Sequence, residues 1–427
     1  MSNSKEKNKL KYYSGWKLTP YKIKYILSLG KYLFQKKKYS LFRFKNLYQY
    51  RKRKILDIPK FVKFNRQYYA PILRVPRWPS KPYDHMVAGG GLNLAASGTS
   101  LKTQIDSVIL GITRKCNYRC QHCYEYFNLA KEDSVPIERW KEIVKDIQNL
   151  GVSIIVFSGG EPMLRFDGLL ELLECGDKRI SDFHVHTSGN GVTSDKALAL
   201  KSAGLTAAAV ALDDYIPNRQ DEFRGFDGAY KEATQAIQYF REAGVFPYIN
   251  MFLRKNLIRS EELWSYFQHI KRLNVGIVSL IEPKPCGRYF SIDGSVLLSE
   301  EDRKTITDFF TEANHSRNFK NYPYVAYINY YEKPELFGCL MGGLSHFYIN
   351  SMGNVQPCIF LPVTFGNIME EKFSAIYKRM REAIPKPVHK SCPSLLLSKE
   401  IKEKRDHGIS LPVPYEELEK EWHSTLD

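Results

Sequence analysis

The sequence predicts an α/β protein built as a partial (β/α)6 TIM-like barrel, preceded by a basic helical extension and followed by a smaller cysteine-bearing domain. Apolar strand-like runs alternate with amphipathic windows between residues 105 and 285, positive charge is concentrated in residues 1–80, and the cysteines form two groups. We therefore expect an extension and linker at 1–104, a core at 105–298, and a C-terminal domain with its tail at 299–427.

The composition of the 427-residue chain is that of a globular protein. Hydrophobic residues make up 43% and charged residues 26%, which excludes wholesale disorder and a fibrous repeat. No apolar run approaches the length of a membrane span and no signal peptide is recognisable, so we expect a cytoplasmic protein. Eight cysteines without an export signal favour metal ligation over disulfides.

The basic extension holds 22 Lys and Arg against two acidic residues in positions 1–80, whereas the rest of the chain is nearly neutral. After a helix-start signal at Thr19 and Pro20, apolar side chains recur at helical spacing from Ile23 to Phe34 between lysines. An anionic membrane surface, which would hold the protein peripherally, suits this apolar stripe better than nucleic acid does. The remaining alternative is that the stripe packs on the barrel itself.

The alternation of elements predicts the core. Strands are expected at 107–112, 153–158, 182–187, 206–212, 246–252 and 276–282, and helices at 136–150, 166–174, 194–203, 228–243 and 260–273. Six such units predict parallel strands joined by crossover helices. After Pro283 we expect the alternation to stop, leaving a helix near 299–314, the hairpin-like segment FYINSMGNVQPC and a last helix near 370–383.

The first predicted strand ends in ITRKCNYRCQHCYEY, which places Cys116, Cys120 and Cys123 in a Cys-x3-Cys-x2-Cys motif. Active sites of parallel barrels gather at the carboxyl ends of the strands, so these thiols lie where chemistry is expected. Three thiolates on one loop can hold three irons of a cubane and leave the fourth iron open. The alternative is a structural zinc site with His122 as its fourth ligand.

The second predicted strand ends in FSGGEP. Gly159 and Gly160 let the backbone approach a ligand closely, and Glu161 places a fixed anion beside them. An ordinary turn between strand and helix would also explain the two glycines. The specific feature is the order of the two motifs on consecutive strands.

In this order the motifs resemble those of the radical S-adenosylmethionine (radical SAM) enzymes, over about residues 105–285. The resemblance implies that the three cysteines bind a 4Fe-4S cluster, that S-adenosylmethionine chelates the open iron, and that the GGEP turn contacts the methionine amino group. A single-electron reductant such as flavodoxin or ferredoxin would then allow cleavage to a 5′-deoxyadenosyl radical, which takes hydrogen from an unactivated carbon.

The same resemblance assigns further cofactor-binding positions. Ser188 and Asn190, in HTSGNG after the third strand, stand where family members touch the cofactor, and His122 is a further candidate beside the cysteines. The segment ALDDY after the fourth strand has Ala211 where the family has serine, which puts one expected cofactor hydrogen bond in doubt.

Two other side chains have competing interpretations. Arg224 matches a family arginine that pairs with the methionine carboxylate, but it could instead face solvent beside Asp221 and Glu222. Cys175, in the apolar helical window LLELLEC, is expected to be a plain core residue.

A second cysteine set comprises Cys339, Cys358 and Cys392, with the hairpin-like segment between the first two. This pattern is similar to the SPASM and twitch extensions of radical SAM proteins, whose hairpin carries ligands for auxiliary iron–sulfur clusters. Three cysteines allow at most one such cluster, and Cys286, in EPKPCGRY at the end of the sixth strand, is the candidate fourth ligand or a substrate contact. The alternative is a degenerate domain with free thiols.

These features lead to three competing hypotheses about function. None of them identifies a catalytic acid or base from the sequence. The leading hypothesis is a radical SAM oxidoreductase or transferase acting on a lipid-like substrate at a membrane surface. A peptide-modifying maturase is the second, although residues 1–80 show no strand pattern typical of a small winged peptide-recognition domain. The third is a non-catalytic iron–sulfur protein whose extension binds nucleic acid or a partner, and the intact Glu161 argues against it.

Overall fold

The computed structural model describes residues 8–20, 23, 59–69, 75–88, 105–260, 262–292 and 294–426. Its strands are β1 Leu10–Ser14, β2 Lys60–Phe64, β3 Gln67–Tyr69, β4 Ser107–Thr113, β5 Ile154–Gly159, β6 Asp182–Thr187, β7 Leu205–Ala211, β8 Phe246–Phe252, β9 Ile277–Ile281, β10 Tyr324–Tyr327, β11 His346–Ile349, β12 Val355–Gln356, β13 Val363–Thr364 and β14 Val413–Pro414. Its helices are α1 Lys81–Ala88, α2 Ile137–Asn149, α3 Phe166–Cys175, α4 Ser194–Ala203, α5 Pro217–Arg224, α6 Ala229–Ala243, α7 Lys255–Arg259, α8 Glu262–Leu273, α9 Glu300–His315, α10 Ile328–Tyr331, α11 Phe373–Ala383, α12 Pro393–Leu396, α13 Ser398–Asp406 and α14 Glu419–Leu426.

The predicted α/β core is confirmed. Strands β4 to β10 are neighbours in sequence order and all pair in parallel within one nine-stranded sheet. Each of the six predicted strands begins and ends within one residue of its expected bounds. Every residue of β5 is buried, because helices cover one face of the sheet while the other face lines the barrel.

The expectation that the alternation stops after Pro283 is wrong. Helix α9 leads into β10, which pairs in parallel with β9 and adds a seventh unit to the barrel. A capping box between Ser299 and Asp302 fixes the start of α9. The structure therefore places the helix and strand at 300–327 with the barrel, although the sequence assigned them to the C-terminal domain.

The predicted hairpin is formed by β11 and β12, which pair antiparallel. Strand β11 also pairs in parallel with β4, on the edge of the barrel sheet opposite β10. Gly111 makes this approach possible, since a Cβ atom there would lie 2.7 Å from the backbone nitrogen of Ser351. The C-terminal domain thus continues the barrel sheet.

The rest of the C-terminal region is mainly helical, and the sequence predicted only one of its helices. Helix α11 confirms the last predicted helix, whereas α12, α13 and α14 were not predicted. Trp422 in α14 is buried against the rings of Phe365 and Tyr415, at 5.6 and 5.5 Å between ring centroids. The tail is therefore packed on the domain.

Residues 1–80 contain strands that the sequence did not predict. β1, β2 and β3 form a three-stranded antiparallel sheet at the amino-terminal end of the barrel. The ring of Tyr69 stacks on Phe246, the first residue of β8, with ring centroids 3.7 Å apart. Arg77 pairs at 3.0 Å with Asp182, the first residue of β6. This sheet closes the end of the barrel opposite the predicted active site.

Two predictions concern membrane association. The apolar stripe from Ile23 to Phe34 lies, apart from Ile23, outside the described residues. Within the described part of the chain, no helix combines the length and the apolar character that crossing a bilayer requires.

Candidate active site and iron–sulfur centres

The three-cysteine loop begins at the carboxyl end of β4. Cys116 lies three residues beyond Thr113, the last residue of that strand. The backbone N–H of Gln121 donates to the carbonyl oxygen of Phe223 at 3.0 Å, which ties the loop to α5. The loop is therefore fixed at the mouth of the barrel, where the sequence placed it.

The thiols of this loop lie close enough to affect one another electrostatically. Burial raises the pKa of Cys116 to about 12, and the charges of Glu161 and Cys120 add to that rise. Burial also raises the pKa of Cys123, again with contributions from Cys120 and Cys116. Metal ligation deprotonates such thiols, and three soft sulfur donors on one loop suit an iron–sulfur cluster.

The Gly-Gly-Glu turn after β5 is joined to the cysteine loop by backbone hydrogen bonds. The N–H of Gly160 donates to Thr113 O at 2.8 Å, and the N–H of Glu161 donates to Lys115 O at 2.7 Å. A Cβ atom on Gly160 would lie 2.2 Å from that Lys115 oxygen, and Gly159 has φ +121°. Only glycine allows the two strand ends to approach this closely.

Glu161 is buried at the junction of β5 and β6. Its carboxylate accepts hydrogen bonds from Thr187 Oγ1 at 2.7 Å and from Ser188, whose N–H and Oγ lie at 2.8 and 2.6 Å. Burial raises its pKa, although these donors oppose the rise. The two predicted cofactor positions Glu161 and Ser188 are thus brought into direct contact.

Asn190 belongs to a neighbouring polar cluster that contains a residue the sequence analysis missed. Its side-chain nitrogen donates to Glu232 in α6 at 2.9 Å, and its oxygen accepts from Asn117 at 2.9 Å. The hydroxyl of Tyr118 donates to the same Glu232 carboxylate at 2.6 Å. No motif marks Glu232, because its role arises from contacts between distant segments.

Arg224 is buried, and the alternative that it faces solvent is wrong. Its Nε and Nη2 donate to Oδ2 of Asp213 at 2.6 and 2.5 Å, and its Nη1 lies 3.8 Å from the sulfur of Cys120. Burial disfavours the charge of Arg224, but Asp213 and Cys120 outweigh that effect and raise its pKa. Asp221 instead accepts backbone hydrogen bonds at the start of α6.

His122 packs between aromatic rings, an environment that disfavours the zinc alternative, in which His122 would be the fourth ligand. Its ring stacks on Phe223 at 4.7 Å and contacts Phe252 at 4.3 Å, and its Nδ1 is buried without a hydrogen-bond partner. Among the described residues, no three His, Cys, Asp or Glu side chains converge on a point where they could bind a single metal ion. A cubane differs because each thiolate binds a separate iron.

The second cysteine set is brought together from four segments. Cys286 follows β9, Cys339 precedes β11, Cys358 follows β12, and Cys392 directly precedes α12. After burial, the charges of Cys358 and Cys392 are the main factors raising the pKa of Cys286. The same two cysteines contribute to the raised pKa of Cys339. Cys175 lies apart from both sets, half-buried at the end of α3 and packed on the core.

A cavity of about 490 Å³ adjoins this second set and is lined by Cys339, Cys392, Glu282 and Lys284 among others. The four thiols are donors of one soft type around one region, which suits an iron–sulfur cluster. The chemistry of this donor set therefore agrees with the cluster-binding role that the sequence suggested.

The two cysteine sets are in backbone contact. The N–H of Arg288 donates to the carbonyl oxygen of Cys123 at 2.9 Å. Gly287 lies between Arg288 and Cys286 with φ +52°, and a Cβ atom there would stand 2.1 Å from the Cys123 oxygen. Cys286, a candidate ligand of the second set, is therefore only two residues from the backbone hydrogen bond that reaches Cys123 of the first set.

A second missed residue, Glu125, links the cysteine loop to the C-terminal hairpin. It is buried, and its carboxylate accepts hydrogen bonds from the hydroxyls of Tyr348 and Ser351, the latter at 2.5 Å. Because the partners lie more than 220 positions apart in the chain, only the fold could show this contact.

A parallel barrel with three cysteines after its first strand, Gly-Gly-Glu-Pro after its second and a cysteine-bearing C-terminal hairpin defines an iron–sulfur enzyme of the radical SAM class. Residues 110–261 match the family model of the Radical SAM superfamily, and residues 339–394 match the SPASM model, an iron-sulfur cluster-binding domain. The chain therefore combines a radical SAM domain with a C-terminal SPASM domain, as a radical SAM enzyme does. Its cofactors are a 4Fe-4S cluster and S-adenosylmethionine, and the SPASM domain implies additional iron–sulfur clusters.

Several relatives are similar over most of the chain. The AdoMet-dependent heme synthase of Oleidesulfovibrio alaskensis is 26% identical, over 63% of this chain and 73% of the relative. The PqqA peptide cyclase of Gluconobacter oxydans is 25% identical, over 64% of this chain and 76% of the relative. Among solved structures, Streptococcus suis SuiB bound to its precursor peptide SuiA aligns with a TM-score of 0.54 at 16% identity, over 69% of this chain and 70% of SuiB. This last likeness shows a common fold.

Proposed function

We propose that this enzyme uses two iron–sulfur clusters, the second held by Cys286, Cys339, Cys358 and Cys392, to modify an unactivated carbon of a peptide. The observation that carries the two-cluster proposal is that four cysteines from four separate segments lie within electrostatic range of one another. Cys286 and Cys339 are buried, Cys358 and Cys392 are partly buried, and four soft sulfur donors in one region suit an iron–sulfur cluster.

Iron content tests the second cluster. Wild-type protein reconstituted anaerobically should bind about eight irons per chain, and Cys392→Ser should lose about half of them. Cys175→Ser is the matched control, since Cys175 lies apart from both sets, and it should retain the wild-type iron content. Equal iron content in Cys392→Ser and wild type would contradict the assignment.

The barrel residues would hold the first cluster and its cofactor. Cys116, Cys120 and Cys123 would ligate the cluster, which with S-adenosylmethionine supplies a 5′-deoxyadenosyl radical for hydrogen abstraction. Glu161 is oriented by hydrogen bonds from Ser188 and Thr187, so its carboxylate is preorganised to receive a cationic amino group.

Arg224 supplies a buried positive charge close to Cys120, held in place by Asp213. A buried guanidinium in this position would favour an anionic group, such as a carboxylate, at the barrel mouth. The rings of Phe223 and Phe252 around His122 would exclude water from the same region.

Two observations favour a peptide substrate. Relatives at 25% and 22% identity are named PqqA peptide cyclase and sporulation killing factor maturation protein, which connects this sequence group with peptide modification. The sheet of β1, β2 and β3 also weakens the objection that residues 1–80 show no strand pattern.

Mass spectrometry tests the substrate class. Cells with the wild-type gene should contain a peptide of altered mass that is unaltered in cells carrying Cys120→Ala. Incubating that peptide, deuterated at the modified residue, with reconstituted enzyme should transfer deuterium into 5′-deoxyadenosine. Altered lipids or porphyrins together with unaltered peptides would overturn the peptide assignment.

The lipid-like substrate and the peripheral membrane contact rest on the apolar stripe outside the described residues, and they stay predictions. Binding of reconstituted protein to anionic vesicles, compared with neutral vesicles and with nucleic acid, would test the partner of the basic extension.

A further inference from the structure

A buried charged cluster lies at the end of β9. Glu282, which is 2% exposed, accepts hydrogen bonds from Lys284 Nζ at 3.0 Å, Arg303 Nε at 3.3 Å and the hydroxyl of Tyr327 at 2.5 Å. Burial opposes the charge of Glu282, but Lys284, Tyr327 and Arg303 together hold its pKa below the usual range. Arg303 also pairs with the exposed Glu300 at 2.6 Å, so Lys284 is the cation of this group whose one carboxylate partner, Glu282, is buried with it.

Lys284 is the member of this cluster nearest to the second cysteine set. Its carbonyl oxygen accepts from the N–H of Cys286 at 2.8 Å, and its side chain is 5% exposed in the cavity that also contains Cys339 and Cys392. The ammonium group is therefore within electrostatic range of the proposed cluster ligands.

We propose that Lys284 raises the reduction potential of the auxiliary cluster by placing a buried positive charge beside its thiolate ligands. Reduction adds one negative charge to a cluster, and a nearby cation stabilises the reduced state more than the oxidised state. The interaction is strong because both groups are buried, where charges are poorly screened. This inference rests on the proposed second cluster.

The substitution Lys284→Met removes the charge and keeps most of the apolar stem. Lys284→Arg keeps the charge and should restore the wild-type behaviour. Lys304→Met is the matched control: Lys304 lines the same cavity, but its side chain is 79% exposed and pairs with Asp308 at 3.0 Å. Solvent screens an exposed charge, so its removal should leave the potential unchanged.

The measurement is a redox titration of full-length reconstituted protein followed by electron paramagnetic resonance. The auxiliary signal is the one that does not change when S-adenosylmethionine is added. Lys284→Met should shift its midpoint to a more negative potential, while Lys284→Arg and Lys304→Met stay at the wild-type value. Glu282→Gln removes the negative charge that pairs with Lys284 and should shift the midpoint of the auxiliary cluster in the positive direction. This variant gives a second test if Lys284→Met folds poorly.

The outcomes separate this inference from the proposed function. If wild type shows no signal that is insensitive to S-adenosylmethionine and binds only about four irons, the second cluster and the role of Lys284 both fail. If that signal is present but its midpoint is the same in wild type, Lys284→Met and Glu282→Gln, only the role of Lys284 fails. An equal shift in Lys304→Met would also overturn it, since the effect would then not depend on the buried charge.

Discussion

Replacing Asp213 with asparagine should destabilise the barrel, because it leaves a buried arginine without its counter-charge. Oδ2 of Asp213 accepts from Arg224 at 2.6 and 2.5 Å, and Oδ1 accepts from the N–H of Phe252 at 2.8 Å. Asparagine can keep the bond to Phe252 but not the charge. Removing one partner of a buried ion pair costs about 3–5 kcal/mol, because the remaining charge stays desolvated.

The double variant Asp213→Asn/Arg224→Met separates this effect from general damage. Replacing both members of a buried pair is often nearly neutral, so the double variant should be more stable than Asp213→Asn alone. The unfolding entropy expected for a chain of this length converts 1 kcal/mol into about 1–2 °C of melting temperature. The single variant should therefore melt roughly 3–10 °C below wild type, and the double variant should recover most of that loss.

Anaerobic differential scanning fluorimetry gives the melting temperatures of the four reconstituted proteins: wild type, both single variants and the double variant. Together they form a double-mutant cycle for Asp213 and Arg224. The reasoning would be refuted if the two single losses simply add in the double variant, because additivity means that the two side chains do not interact. A melting temperature of Asp213→Asn equal to that of wild type would refute it as well.

Two further predictions concern the strand ends and the N-terminal sheet. Gly160→Ala places a Cβ atom 2.2 Å from a backbone oxygen of the three-cysteine loop and should lower reconstituted iron. Gly228→Ala strains a backbone with φ +88° but has no atom within 4 Å of its Cβ, so it controls for backbone strain and should keep its iron. Equal iron in both variants would contradict this prediction. Burial lowers the pKa of Lys60 to about 7, below its unfolded value of about 10.4. The folded state then binds fewer protons between these values, so wild type should gain stability relative to Lys60→Met from pH 7 to pH 10. Urea unfolding midpoints of wild type and Lys60→Met, measured across this pH range, test the prediction. A difference between the two midpoints that stays constant with pH would refute it.

The barrel was predictable because its strands carry local signals. Parallel strands covered on both faces are almost continuously apolar, as in Ile154–Gly159, and each is bounded by a turn rich in glycine or polar residues. The candidate ligands follow from the same logic, since residues just after parallel strands meet at one end of the barrel. Cys116 and Glu161 come together there although 45 positions separate them.

The missed elements depend on partners distant in sequence. Tyr324–Tyr327 is four residues long within an aromatic stretch, and only its pairing with β9 and the packing of α9 make it a strand. Leu10–Ser14 pairs with Lys60–Phe64 across a long intervening segment, so neither strand has a hairpin signal. The same reason hid the partners of Arg224, since a salt bridge follows from the packed fold rather than from a spacing.

The two cysteine sets belong to one framework, although sequence motifs separate them into two domains. Strand β11 extends the barrel sheet beside β4, Glu125 of the first loop is bound by Tyr348 of β11, and the Arg288 N–H contacts Cys123 O at 2.9 Å. A loss of metal at the second set should therefore shift the loop that carries the first, although that loop keeps its own iron. It follows that an inactive Cys392→Ser variant does not by itself assign an electron-transfer role to the second cluster. That role requires a variant such as Lys284→Met, which is designed to keep both clusters and change only a potential.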